Sequence, residues 1–378
     1  MKARFLFVTM LLLSATAGST TVLSAGDEGE VEFLRVPEGG IQPQAVADGQ
    51  GTLHLIYYRG GRQKGNLFYV TRPPGEKGWS SPIQVNSRDG SANRNEPISR
   101  AQLAVDRNGS VHVVWFNMRP AKFWYTRKTR GAARFARQKN LVSRYNDGVE
   151  TGATVAVDGN GGVFVIWHAG NMGNEAGRAV YITRSSDGGR TFAAEERVNP
   201  DDTGVCACCG LNSMVDDQGA VYVSYRAAGA NVNRDMTLLK STDSARNFSS
   251  EIVHDWRLRA CPVSTTALAE GPQGPAVAWE TKGQVYFAHV SALDAAITAP
   301  GDSGTRQKNP ALAINTAGEI LLAWAEGSGF RSGGQLLWQI YNAEGEATDA
   351  RGQLEDMLPD YSTPEVVATG AGRFVIIY

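Results

Sequence analysis

Apolar residues alternate with others at Val155 and Val157, and again at Val163, Val165 and Trp167, on both sides of Asp158-Gly159-Asn160-Gly161. A period of two with a glycine-rich break predicts an antiparallel hairpin. A third strand follows over Ala179 to Arg184, and Phe192 anchors a fourth running to Val198. Such a four-stranded sheet has two greasy faces and needs a neighbour stacked on each. The hairpin pattern recurs at Ala45, Leu103 and Met214, and in weaker form at Ala267, Ala311 and Glu365. Its turns fall at Asp48, Asp106, Asp158, Asp217, Gly271, Asn315 and Thr369, so the repeat length runs from 44 to 59 residues. Four strands repeated about every fifty residues predict radial blades that close on themselves, an all-β propeller of antiparallel blades.

The chain ends predict how the ring closes. Val31 to Val36 is a lone strand ahead of the first hairpin, and Thr363 to Tyr378 is a hairpin with no strands after it. Pairing the two makes a composite last blade. The count is seven blades if Glu365 to Tyr378 is a blade of its own, and six if that hairpin merges with a neighbour.

Composition fits this reading and adds a compartment. The 42% hydrophobic content, 20% charged content and 43 glycines suit a turn-rich all-β protein with a large core. A formal charge of -1 gives no footprint for nucleic acid or an anionic membrane. Lys2 and Arg4, the apolar run Phe5 to Leu13, and the small-residue sites Ala15-Thr16-Ala17 and Leu23-Ser24-Ala25 read as a cleavable secretory signal over residues 1–25. Residues 26–378 are then a single propeller domain, expected in a periplasm or outside the cell. The apolar run is too short to stay as a membrane span, and a monomer with no integral membrane segment is the expectation.

Two turns carry a motif. Ser185-Ser186-Asp187-Gly188-Gly189-Arg190-Thr191-Phe192 is a complete Asp-box, and Ser241 to Phe248, containing Asp243, is a degraded one with Ala245 in place of a glycine. Both follow the third strand of their blade, where sialidases carry such boxes, and the chain resembles the sialidase (neuraminidase) superfamily. Asp-boxes lie away from the pocket, so Ser185, Asp187, Gly189, Phe192, Ser241, Asp243 and Phe248 are read as structural. The resemblance implies an Arg triad clamping a carboxylate, a Tyr nucleophile with a neighbouring Glu, and an Asp acid/base. The first Arg of that triad sits in an aromatic-Arg-Ile-Pro stretch, but this chain has Gly40-Ile41-Gln42-Pro43, with Ile41 in its place.

One face of a propeller carries the entries to the inner strands and the links from second to third strand, and ligands usually bind there. Arg59, Arg119, His168, Arg226 and Glu280 fall at such links and are the candidate ligand-binding residues. Arg59, Arg119 and Arg226 are also the candidates to replace the triad, with Glu280 and Glu326 as candidate proton-handling groups. Tyr58-Arg59 and Tyr225-Arg226 share one phase of the repeat, which predicts an electropositive funnel for an anionic ligand.

All four cysteines fall in one sector. Cys206, Cys208 and Cys209 lie in Val205-Cys206-Ala207-Cys208-Cys209-Gly210, and Cys261 lies one repeat later. Cys209 and Cys261 each precede an inner strand, so adjacent blades should bring the four sulfurs together beside the axis, on the face opposite the Asp-boxes. Three chemistries are open there: disulfides stapling blades four and five, a soft-metal site for Cu(I) or Zn, or redox exchange. The C-x-C-C run with Trp256 to Pro262 resembles a subgroup of sialidase-like secreted proteins. The functional readings are a propeller binding a small anionic or glycan ligand, a soft metal, or both at the cysteine-containing face; an exo-alpha-sialidase or related glycoside hydrolase; and a non-catalytic propeller with structural disulfides.

Overall fold

The computed structural model describes residues 31–94, 100–118, 121–145, 152–171, 173–301, 304–329, 331–370 and 372–378. The secretory signal and Arg119 lie outside them. Seven sheets surround one axis. Six are four-stranded antiparallel blades, opening with inner strands Ile41–Ala47, Gln102–Val105, Thr154–Val157, Asn212–Val215, Ala267–Gly271 and Gln307–Ile314. The seventh is composite: Val31–Leu34 lies parallel to Arg373–Ile377, which pairs antiparallel with Glu365–Thr369. Tyr378 makes the closing bonds, accepting from Val36 N–H at 2.8 Å and donating its own N–H to Leu34 O at 3.0 Å. Glu32 on that strand accepts two bonds of 2.6 Å from Arg72 of blade one, so charge as well as backbone fastens the closure.

The packing between blades repeats because the sequence repeats. Tyr57, Trp115, Trp167, Tyr225, Trp279 and Trp324 hold one position on successive second strands, and all are buried. Side chains of this size supply most of the apolar area that neighbouring sheets remove from water. The inner strands surround an axial channel of about 450 Å³. At one end of it Arg100 donates to Glu365 at 2.7 Å and reaches the carbonyl of Pro43 and the hydroxyl of Thr363, tying blades two, one and seven together.

The turns between inner and second strands seal themselves. Asp48, Asp106, Asp158 and Asn315 each accept two backbone N–H bonds from their own turn, the Asx geometry that replaces water at a tight reversal. In blade four the residue in that role is Asp216, one position before the expected Asp217. Both Asp-boxes lie on this lower face. Asp187 accepts the N–H groups of Arg190 and Thr191 and the hydroxyls of Ser185 and Thr191, and Asp243 does the same with Arg246, Asn247 and Ser241. These bonds, the Thr191 hydroxyl first for Asp187 and the Asn247 N–H first for Asp243, hold both carboxyls well below the usual range. The degraded box keeps the fold of the complete one because Ser244 and Ala245 take the positive φ that Gly188 and Gly189 take there.

Candidate functional site

The cysteine loop crosses the upper face between the outer strand of blade three and the inner strand of blade four. Gly204 makes the crossing possible: at φ 57° its absent Cβ would lie 2.7 Å from Ala176 Cα and the Glu175 carbonyl. Beyond it, Val205 N–H bonds to Glu175 O, Cys206 N–H to Arg226 O, and Gly210 N–H to Ser264 O, so the loop is pinned to three blades in turn. This brings the four sulfurs together. Cys208 is bonded to Cys261, with Cα atoms 6.1 Å apart, while Cys206 and Cys209 are free thiols. Cys206 Sγ lies 3.5 Å from Cys208 Sγ and 3.4 Å from Cys209 Sγ. Cys206, Cys208 and Cys209 are buried with Ala228 and Val263, and Cys261 is exposed.

The two free thiols differ in acidity. Burial pushes Cys209 up, but the Cys206 S–H donated to it, the Arg226 charge and the Ser264 N–H outweigh burial and bring it to about 7. Cys206, which donates that bond and is itself buried beside the Cys209 sulfur, is raised. Cys209 is therefore the more acidic thiol of the pair.

Arg226, His168 and Glu280 stand around this pair. Arg226 is 4% exposed, and donates to the carbonyls of Arg234 and Glu280 and to the Thr281 hydroxyl, with Trp256 against its face. It braces the wall between blades four and five and lends Cys209 its charge. His168 accepts from Arg178 on Nδ1 at 2.7 Å, so its Nε2–H donates to the Cys209 carbonyl at 3.2 Å. Burial first, and then the Arg178 charge, lower its pKa to about 3, which keeps the ring neutral. Glu280 is 1% exposed; Oε1 accepts the Gly283 N–H, and Oε2 has no hydrogen-bond partner among the described residues.

The remaining candidates lie elsewhere. Arg59, half-exposed on blade one, pairs with Glu38 and covers Phe68; because Tyr57 and not Tyr58 holds the place of Tyr225, Arg59 stands one residue past the phase of Arg226 and on the other side of its strand, against the expectation of a shared position. Glu326 accepts from the Trp324 indole and from Gln307, beside a cavity of about 550 Å³ on blade six that Arg351 and Gln353 also line.

Sequence reasoning missed Glu175, Arg178 and Arg234. Glu175 receives the Ala207 N–H on one oxygen and the buried Arg234 guanidinium on the other, and lies within 4.8 Å of the Cys206 and Cys261 sulfurs. Its loop, 170–177, has no periodicity to mark it. Arg178 and Arg234 did leave a trace, since each stands just before the third strand of its blade.

No protein-family model and no curated protein sequence matches the chain. Solved structures do. The Hadza microbial sialidase aligns with 84% of this chain and 74% of its own at 12% identity and a TM-score of 0.51. The six-bladed fucose-recognising lectin of Aleuria aurantia aligns with 85% and 95% at 12% identity and 0.52. The alpha-L-arabinofuranosidase of Fusarium graminearum, solved with arabinobiose, aligns with 78% and 91% at 9% identity and 0.53. These likenesses carry the fold and nothing finer. The chain is a seven-bladed propeller, distantly similar to sialidases and other glycan-active propellers, with one disulfide inside a cysteine cluster.

Proposed function

We propose that the protein is a binding propeller of the periplasm or cell exterior that takes a soft metal ion at its cysteine pole, with Cys206 and Cys209 as ligands. The reading rests on one observation: Cys206 and Cys209, both free, hold their sulfurs 3.4 Å apart in a buried pocket, with a third sulfur 3.5 Å from Cys206. Soft thiolates select Cu(I) or Zn. With Cys208 bridged, two thiols satisfy low-coordinate Cu(I) and fall short of the four ligands of a structural zinc site, so Cu(I) is the ion preferred here. Arg226 beside Cys209 offsets the charge of the thiolates. Anaerobic titration of the protein with Cu(I), in competition with a chromophoric chelator, tests the reading. One equivalent should bind, and Cys206→Ser and Cys209→Ser should each abolish it; a protein that takes up no Cu(I), or variants that retain it, would overturn it.

A second reading has its own support. The sialidase, lectin and arabinofuranosidase of similar fold all recognise sugars by name. The unpartnered Oε2 of Glu280 is also a buried acceptor of the kind a hydroxyl-rich or proton-donating ligand would satisfy. Cleavage of a fluorogenic sialoside is expected to be absent, because Ile41 stands where the first carboxylate-binding Arg would be, and Arg226 is bound to carbonyls. Release of sialic acid that is lost on Glu280→Gln would replace the metal reading with this one.

A further inference from the structure

The pole holds a nucleophile and an electrophile in contact, and the metal reading uses neither fact. Cys206 Sγ touches both Cys208 Sγ, at 3.5 Å, and Cys209 Sγ, at 3.4 Å. It therefore sits between a bridged sulfur and a second thiol. The other end of the bridge, Cys261, is exposed, while the three remaining sulfurs are buried. We infer that the pole carries out an internal thiol–disulfide exchange, in which the Cys208–Cys261 bridge migrates to Cys206 and Cys209 and presents Cys261 as a surface thiol.

The exchange balances without an outside oxidant. Cys206 gives up its proton along its existing contact to Cys209 and attacks Cys208 Sγ. The Cys206–Cys208 bond forms, the Cys208–Cys261 bond breaks, and Cys261 leaves with the electron pair and takes up a proton. Cys209 then loses its proton and attacks Cys206 Sγ, expelling Cys208, which is protonated in turn. Two thiols and one disulfide enter, and two thiols and one disulfide leave. Glu175, within 4.8 Å of both the Cys206 and Cys261 sulfurs, stands where one proton is lost and another gained. Exchange proceeds by this kind of thiolate attack through a mixed disulfide, at a rate set by access and by which sulfur is reached. Attack by Cys209 on the adjacent Cys208 would close a strained ring between neighbouring residues, so Cys206 is the first nucleophile.

The inference goes beyond the metal reading and stands without it, although both use the same sulfurs. Migration withdraws Cys206 and Cys209 from any bound ion, so a loaded site and a migrated bridge exclude each other. The surface thiol of the migrated form suits a partner that carries a disulfide or a reactive thiol of its own.

Alkylation of the folded protein with N-ethylmaleimide, followed by acid quench and disulfide mapping by mass spectrometry, tests it without metal. The expected result is two isomers, one labelled at Cys206 and Cys209 with the outer bridge intact, the other labelled at Cys208 and Cys261 with Cys206 joined to Cys209. Cys206→Ser should slow labelling of Cys261 by about tenfold or more, because the nucleophile that releases it is gone. Label confined to Cys206 and Cys209 at all times in the unsubstituted protein would overturn the exchange, whatever the variant does. Copper uptake without a second isomer would sink the exchange and leave the metal reading standing; a second isomer without copper uptake would do the reverse.

Discussion

The turn aspartates of the lower face bond within their own turns, whereas the charged groups of the upper pole around the cysteines bond across blades. On the lower face Asp48, Asp106, Asp158, Asp216 and Asn315 bond the backbone of their own turns, and Asp187 and Asp243 bond within Ser185 to Thr191 and Ser241 to Asn247, while Arg127, Lys139 and Arg184 of the preceding blades reach the carbonyls of the boxes. At the upper pole Glu175 of blade three holds Arg234 of blade four, Arg226 of blade four holds a carbonyl of blade five, and Lys308 of blade six reaches the carbonyl of Pro262. Among the described residues, Glu280 Oε2, Arg234 Nη1 and Asn309 Oδ1 are buried there without a partner. Val263 and Asn309, at entries to inner strands, take φ of 50° and 52°. A turn aspartate that satisfies its own backbone can repeat from blade to blade. Buried polar groups left unmet around one cluster mark where the chain has been shaped by something besides folding.

The largest perturbation tests the ring that both faces share. Deleting Val31–Leu34 removes the third strand of blade seven, its Glu32–Arg72 pair and the covering of Phe374 and Ile376. A loss of several kcal/mol, about 5 or more, is expected from apolar area alone, read as a large drop in Tm. Unchanged unfolding would mean that the composite blade does not close the ring.

Breaking the upper pole comes next. Glu175→Ala leaves Arg234 buried without its carboxylate and frees the Ala207 N–H, so about 3 kcal/mol should be lost, the range for stranding one partner of a buried pair. The same change should raise alkylation of Cys206, and a loss of stability without that change would separate the pair from the cysteines.

The lower face should respond less, and with a pH signature. The Asp187 carboxyl is held below its unfolded value, so its contribution is complete above the ordinary Asp range and is lost as pH falls towards the depressed folded value. Asp187→Asn should therefore lower Tm at pH 7, and the gap should narrow below about pH 4. A gap that is constant with pH would show that the box is held by shape and not by charge. The smallest effect is expected at Ser244, exposed at φ 60° in the degraded box: Ser244→Gly should stabilise by up to about 1 kcal/mol, measurable in denaturant.

This division also explains what could be read from the chain. Asp158-Gly159-Asn160-Gly161 and Ser185 to Phe192 are short local codes, so the hairpins, the propeller and the Asp-boxes were legible, as was the joining of Val31 to Val36 with the last hairpin. The repeat phase placed the cysteines together, since Cys209 and Cys261 each precede an inner strand. It did not say which would bond: pairing of Cys208 with Cys261 depends on how far each loop reaches, and phase is silent about reach. Nor did it foresee that Arg226 would turn inward to carbonyls while Arg59 stays out with Glu38, because the turn of blade four falls at Asp216 and not Asp217, which shifts Arg59 one residue out of the phase of Arg226. Glu175 left no trace, since its partners are 32 and 59 residues away.

The most direct test of the upper pole as a working site is X-ray absorption at the copper edge on protein loaded anaerobically with one equivalent of Cu(I). A first shell of sulfur alone, disrupted by Cys209→Ser, is the result predicted for an ion held by Cys206 and Cys209. A nitrogen or oxygen shell, or copper that leaves the protein on gel filtration, would contradict it.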